Sequence, residues 1–506
     1  MENYGFVIDN RKCIGCHACT VACKSEHDVP IGVNRTWVKY IEHGEFPNSQ
    51  RSFSVMRCNH CSDAPCVSIC PVTALYKRED GIVDFDSDRC IGCKACTQAC
   101  PYDALYIDPN TNTAAKCNYC THRVEKGIEP ACVVVCPEHA IISGDLNDER
   151  SEIAQLLAEN TFSVRKAEKG TKPKVFYIDA QPDSLEPTAA DAQAGYVWSS
   201  QSEGVGHNKS KPPDKKESWN ASSTVSYDPP DKGVLWGWEV AAYLVTKGIS
   251  GGVLLLGLLF NTLGIASDLF LFNCVIISLI FLGITGGLLV KDLDRPDRFL
   301  SILLRPQWKS WLVKGAYFIL MYSILLCLWM VGYLLETDLI KSISSVLLVP
   351  FATLTVIYTA FLFAQAKGRD YWQNPILPLH MLVHGILLGA AFLLIFIEFQ
   401  ASAPKIVEIL NTIMIYAIGF HLALIIFDWT VKHKVYEARL ASKMIHRGKF
   451  ASQFWIIVVI LGNIIPLILL LLGFDPANLV VAVLLILGTW TSNHILVKAP
   501  QLIPLS

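Results

Sequence analysis

Eight apolar segments follow one another after Gly233, at roughly 235–264, 269–290, 312–335, 342–363, 376–398, 404–429, 454–473 and 477–497. A bilayer span needs about 20 apolar residues, and most of these segments reach that length on their own. Burying so many long runs inside a water-soluble domain would take polar surface that the chain lacks. Charged residues make up 17 % of the 506 and hydrophobic residues 52 %, against about 25 % charged in an ordinary soluble protein. Residues 233–506 are therefore expected to form an all-α membrane bundle of eight transmembrane helices.

An even number of spans puts the amino-terminal part, three inter-helix loops and the carboxyl terminus on one side. Those three loops hold thirteen basic residues, among them Lys291, Arg295, Arg298, Lys367, Arg369, Lys432 and Arg447; the opposite loops hold Lys341 and Lys405. The positive-inside rule then predicts a protein of the inner (cytoplasmic) membrane whose head and carboxyl terminus face the cytoplasm. The start, MENYGFVIDNRKCIGC, has neither an apolar run behind a basic stretch nor a twin-arginine pair, which agrees with that orientation. A net charge of −2 excludes a nucleic-acid partner held by bulk charge.

Sixteen of the eighteen cysteines fall between Cys13 and Cys136, in four groups of four. Cys13, Cys16, Cys19 and Cys23 share the C-x-x-C-x-x-C-x-x-x-C spacing with Cys90, Cys93, Cys96 and Cys100, the run found in bacterial ferredoxins. Cys58, Cys61, Cys66 and Cys70 widen the middle gap, and Cys117, Cys120, Cys132 and Cys136 widen it further. Pro71, Pro101 and Pro137 follow the last cysteine of three groups, and Lys24 follows the first. The stretch from Phe6 (FVIDNRKCIGCHACTVAC) repeats from Val83 (VDFDSDRCIGCKACTQAC).

A cubane cluster needs four converging thiolates. A tight loop supplies three, and the fourth comes from the end of a partner run. Adjacent groups two and three are expected to pair, giving Cys58, Cys61, Cys66 with Cys100, and Cys90, Cys93, Cys96 with Cys70. Groups one and four pair by elimination, giving Cys13, Cys16, Cys19 with Cys136, and Cys117, Cys120, Cys132 with Cys23. Structural zinc also uses C-x-x-C pairs but does not need a fourfold three-plus-one repetition ending in Cys-Pro. The expectation is four 4Fe–4S clusters in a row, within an α+β ferredoxin-like head over 1–178 built from two tandem pairs. Basic neighbours Lys12, Lys24, Arg57, Arg89, Lys94 and Lys116 either offset cluster charge or are solvated surface. Residues 179–232, rich in Pro, Ser, Asp and Lys, read as a polar linker, or as a strap in view of Tyr196, Trp198 and Trp219.

The head resembles the four-cluster ferredoxin-like subunit of the molybdopterin-oxidoreductase (dimethyl-sulfoxide-reductase-type) family. LLVKDLDRPDRF from Leu288, YTAFLFAQAKGRDYW from Tyr358 and GISGG from Gly248 resemble the NrfD/polysulfide-reductase membrane-anchor family. In those families the two parts are usually separate chains; here they are fused. The resemblance implies a separate catalytic subunit carrying a molybdenum or tungsten bis-pterin, and quinone chemistry in the membrane part without haem. Some NrfD relatives have Asn and His in the first span where this chain has Val240 and Tyr243, while Tyr358 matches the family's tyrosine in the fourth span.

Ionisable residues inside a bilayer mark functional sites by default. Glu239, Tyr243 and Lys247 recur every fourth residue on one face of the first span. Asp292, Arg295 and Arg298 end the second span. His380 and His384 sit near the start of the fifth, His421 and Asp428 toward the end of the sixth, and His494 near the end of the eighth. All fall on the head side. The expected quinone contacts are Tyr243, Lys247, Asp292, Arg295, Tyr358 and His384. The alternatives are an Asp292–Arg295 ion pair, a Lys247 that snorkels to the headgroups, and histidines engaged in interhelical hydrogen bonds. Cys274 and Cys327 read as apolar fillers.

The sequence thus describes the electron-transfer and membrane-anchor subunit of a respiratory complex. It is the quinone-reactive part rather than the catalyst for the complex's other substrate, and its partners are a catalytic large subunit, lipid and quinone. Two other functions stand beside this one: a haem b anchor using His384 and His421, and a proton-pumping subunit using the histidines and Glu398.

Overall fold

The computed structural model describes residues 2–44, 47–186, 191–193, 225–227, 232–398, 404–431, 433–473 and 478–506. The head is built around its own repeat. Strand Tyr4–Asp9, which leads into the first cysteine run, pairs antiparallel with Ile141–Asp145, which leaves the fourth, and parallel with Val175–Ile178. Groups two and three are followed instead by two short hairpins, Leu75–Lys77 with Val83–Phe85 and Leu105–Asp108 with Thr113–Lys116. The chain therefore nests an inner pair of cysteine groups inside an outer pair.

The two matching runs adopt the same backbone. Gly15 and Gly92 have φ of 69° and 68°, and His17 and Lys94 have φ of 60° and 59°. The left-handed glycine turns the loop so that successive thiols point inward, and a short helix begins directly after it. Gly92 is constrained twice, because an added Cβ would lie 2.7 Å from the Asp294 side chain of the membrane part.

A hairpin of Thr36–His43 and Gln50–Arg57 has no counterpart in the sequence expectations. Its two strands carry alternating aromatic and β-branched residues, and it covers the outer cysteine pair. Of the 179–232 stretch, Asp191–Gln193 and Val225–Tyr227 are strands, and Val225–Tyr227 pairs with the hairpin strand Thr36–His43. That is a strap-like position on the head. Tyr196, Trp198 and Trp219 lie outside the described residues.

Among the described residues, eight helices are long and apolar enough to cross a membrane: Trp238–Thr262, Asp268–Lys291, Trp311–Leu334, Asp338–Gln365, Leu377–Glu398, Pro404–Thr430, Gln453–Leu471 and Asn478–Leu502. Each coincides with one apolar segment of the sequence to within a few residues. The first span is the most enclosed. It crosses the fifth in backbone contact, where an added Cβ on Gly252 would collide with the Gly385 carbonyl oxygen. The glycines of GISGG thus serve a close helix crossing of the kind small residues allow in membranes. The seventh span opens as a π-helix over Gln453–Ile464 before becoming α-helical.

Candidate functional site

The four cysteine groups meet in the combinations that a three-plus-one arrangement requires. Cys13, Cys16, Cys19 and Cys136 line one cavity, and Cys70, Cys90, Cys93 and Cys96 line another. Burial holds the Cys66 thiol far above its ordinary range, and the neighbouring Cys100, Cys58 and Cys61 thiols add to this. Cys23 is raised by burial first and then by Cys117, Cys132 and Cys120. Four buried thiols side by side are costly as thiols and are matched to a soft metal centre that takes them as thiolates. Backbone amides already point at these sulfurs: Ala74 N–H donates to Cys70 Sγ at 3.2 Å and Ala140 N–H to Cys136 Sγ at 3.2 Å.

The basic neighbours divide into two kinds. Arg57 is fully buried, stacks on Phe6 and donates to Cys132 Sγ at 3.3 Å. Lys116 is fully buried and donates to the carbonyls of Val83 and Cys117. Lys12 and Arg89 are exposed. Offsetting of sulfur charge therefore falls to Arg57 and Lys116, whereas Lys12 and Arg89 are solvated.

The loop Cys90–Cys96 is one of the parts of the head that rest on the membrane bundle. Asp294 N–H donates to the Gly92 carbonyl (3.2 Å), Arg295 N–H to that of Ile91 (3.3 Å), and Arg298 Nη1 to that of Cys90 (3.0 Å). Trp236 Nε1 donates to the Cys93 carbonyl at 3.1 Å. Lys94 reaches back, donating to the Asp292 carbonyl at 2.8 Å and pairing with the Asp294 carboxylate at 3.0 Å. One continuous apolar cluster runs from Cys93 and Cys96 through Trp236 and Val240 to Tyr243.

Beneath that loop, Lys247 is buried inside the bundle, with its Nζ donating to Thr359 Oγ1 at 2.6 Å and lying 4.3 Å from the centroid of the Tyr358 ring. It does not snorkel. Tyr243 and Tyr358 are both buried, and Tyr358 packs so closely on Gly315 that even a Cβ there would collide with the ring. Asp292 stands at the end of the second span, 3.8 Å from Lys94 Nζ. Burial pushes its carboxyl up to about 7, reinforced by Glu239 and Asp294 and opposed by Lys94.

Arg295 does not join this group. Its guanidinium forks onto Asp297 (2.8 and 3.0 Å) and never meets Asp292, so the Asp292–Arg295 ion pair does not form. A two-residue spacing inside the loop satisfies Arg295 locally before it can reach the span.

His384 is also engaged elsewhere. Its Nε2 lies 3.0 Å from His421 Nε2 and its Nδ1 lies 3.1 Å from Asn493 Oδ1. An iron held axially by both rings would separate the two Nε2 atoms by about 4 Å, at the 2.0–2.1 Å usual for a metal–imidazole bond. With ring centroids only 4.7 Å apart, the pair does not fit a haem.

Residues 230–504 match the family described as polysulphide reductase, NrfD, and residues 12–75 and 50–146 match two 4Fe-4S dicluster domains. The chain belongs to the NrfD family. Among curated proteins, its head is 45 % identical over 202 residues to the B subunit of tetrathionate reductase from Salmonella typhimurium, covering 39 % of this chain and 80 % of that protein. The B component of polysulfide reductase from Wolinella succinogenes is 43 % identical over 188 residues, covering 37 % of this chain and 98 % of its own length. NrfC of Escherichia coli K12 is 43 % identical over 178 residues, covering 35 % and 80 %. This NrfD-family protein is thus an iron–sulfur electron-transfer subunit with its membrane anchor fused behind it.

In this NrfD bundle several working residues carry no sequence signal. Thr359 accepts the hydrogen bond from Lys247 and neighbours the phenols of Tyr243 and Tyr358; it stands second in the YTAFLFAQAKGRDYW motif, but nothing in sequence pairs it with Lys247. Gln98 ties the head to the bundle by accepting from Arg369 Nε (3.0 Å) and donating to Gln501 (3.0 Å). Nothing in its sequence surroundings marks it. Arg369 lies in the YTAFLFAQAKGRDYW motif, which was the available pointer.

Proposed function

We propose that the chain carries electrons between a catalytic bis-pterin subunit of a respiratory molybdo- or tungsto-enzyme and the membrane quinone pool. The observation that supports this most is the contact of the Cys90–Cys96 loop with Asp292–Arg298, directly above buried Tyr243, Lys247 and Tyr358. The four sets of four cysteines, when filled, supply four 4Fe–4S one-electron carriers in a row. Head relatives are named as subunits of tetrathionate and polysulfide reductases, which favours an inorganic sulfur compound or similar oxidant at the partner.

The quinone headgroup binds in the head-proximal half of the bundle. Lys247 and Tyr358 present an ammonium and a phenol to a quinone carbonyl, and Asp292 passes protons at the aqueous edge. Arg295 and His384, whose contacts go elsewhere, are not part of this pocket. Tyr358→Phe removes one hydrogen bond to the ring, a loss of roughly 0.5–1.5 kcal/mol and thus up to about tenfold in quinone affinity. A carboxyl titrating at about 7 is protonated below that pH and a carboxylate above it. Quinone reduction, which consumes protons, should therefore fall as pH rises through 7 in the wild type and show no such limb in Asp292→Asn. Equal pH profiles in the two proteins would remove Asp292 from the proton path. If both variants keep full turnover while changes on the far side, at Asp338 or Glu398, abolish it, the site lies at the wrong end.

Head and carboxyl terminus face the cytoplasm in this proposal, supported by the basic loops on their side. A reporter fused after Ser506 should be active only in its cytoplasmic form; a periplasmic signal overturns the orientation.

A further inference from the structure

We propose that His380, His384 and His421 form a binding site for one divalent transition-metal ion of the zinc type, with Asp428 beside His380, at the head-side ends of the fifth and sixth spans. The donor nitrogens of the three histidines lie within 4.8 Å of one another. The hydrogen bonds around them fix which nitrogens are free. Asn463 Nδ2 donates to the Val458 carbonyl at 2.7 Å, so its oxygen is the atom that faces His421 Nδ1 at 2.9 Å. His421 Nδ1 must therefore be the protonated nitrogen, leaving a lone pair on Nε2. His384 Nδ1 lies 3.1 Å from Asn493 Oδ1, and donating to it makes Nδ1 the protonated nitrogen there too. With both rings in that tautomer, the two Nε2 lone pairs confront each other at 3.0 Å. A shared cation turns that repulsion into two bonds.

The third histidine points to the same place. His380 Nε2 lies 2.9 Å from Asp428 Oδ2, at ion-pair distance but out of hydrogen-bond alignment, which leaves its ring free to turn toward the other two. The other oxygen of Asp428 accepts from Asn374 Nδ2 at 2.9 Å, which orients the carboxylate toward His380. In a tetrahedral site with bonds of 2.0–2.1 Å, neighbouring donor atoms are about 3.4 Å apart. The His384 and His421 Nε2 atoms, 3.0 Å apart, are a few tenths of an ångström from that spacing, and His380 lies within 4.8 Å of both. Three imidazoles, with the fourth position left to water, suit zinc-like ions and disfavour calcium or magnesium.

The surroundings resemble those of built metal sites. Asn463 and Asn493 each hold a ligand ring by the nitrogen that faces away from the ion, the usual device for fixing tautomer and orientation. Asn463 is presented by the π-helical stretch of the seventh span, a departure from α-geometry that is rare and frequent at functional sites. The cavity is lined also by Tyr371, Asn374 and His446 from the head-side loops, which gives an ion a route from water. One ion would tie the fifth and sixth spans directly, and the seventh and eighth through the two asparagines. The hydrogen bonds of Lys247 and of these ligands run to different partners, so the site is independent of the quinone reading.

The test uses the detergent-purified full-length protein, treated with EDTA and dialysed against micromolar zinc chloride, with zinc and iron counted together. One zinc per chain should be retained by the wild type and none by His384→Gln or His421→Gln, with iron unchanged in all three. Asn463→Ala should keep the ligands yet bind zinc about 10–100-fold more weakly. Wild-type protein that retains no zinc overturns the proposal. So does zinc that persists in both histidine variants.

Discussion

Replacing Lys247 by methionine is expected to reduce quinone turnover by about 10–150-fold while leaving the iron content untouched. The ammonium is almost wholly buried, with Thr359 Oγ1 at 2.6 Å and the Tyr358 ring beside it. A neutral hydroxyl and a ring face are poor compensation for a buried charge. In the quinone proposal, a bound ligand oxygen supplies the missing partner. A hydrogen bond from a charged donor to a quinone oxygen contributes roughly 1.5–3 kcal/mol, which sets the size of the loss. Methionine has similar volume and no charge to desolvate, so the bundle should fold as well or better. Turnover assays on protein of matched iron content check this, and wild-type rates in the variant would take Lys247 out of the site.

The second large effect concerns the cysteine set nearest the membrane. Cys96→Ser should lower iron from about sixteen to about twelve per chain and stop exchange between the head and quinone altogether. Cys96 is buried among Cys93, Cys90 and Cys70, and their loop makes the contacts with Asp294, Arg295 and Trp236. The outer sets, around Cys19 and Cys132, share no cysteine with this one and keep their own ligands. They should still be reduced by a soluble donor. Iron analysis and low-temperature spectroscopy of the head separate these outcomes. Iron near eight per chain in the wild type would contradict the four-centre arrangement itself.

The cysteine ladder and the eight spans were legible because both are local patterns. Ferredoxin spacing is a property of about ten consecutive residues, and its left-handed glycine and the residue two places on take the same φ in both copies. A span needs only its own 20 or so apolar residues. Interior chemistry was legible as residue types but not as partnerships. Tyr243 and Lys247 share a helix face by arithmetic. That Lys247 turns to Thr359, 112 positions away, depends on how the first and fourth spans pack. Arg295 looked like an ion-pair partner for Asp292, and its guanidinium forks instead onto an aspartate two residues on. His384 and His421 were separately visible in the sequence; their 3.0 Å approach, and the asparagines behind them, come from the crossing of four helices.

The central claim is that electrons pass between the head's iron–sulfur centres and a quinone held under the Cys90–Cys96 loop. It is tested most directly by mixing dithionite-reduced, desalted full-length protein with a water-soluble short-chain quinone and following the return of iron–sulfur absorbance. Rapid reoxidation is predicted for the wild type, slowing at least tenfold in Lys247→Met and failing to reach the outer centres in Cys96→Ser. Reoxidation at the wild-type rate in both variants would contradict it.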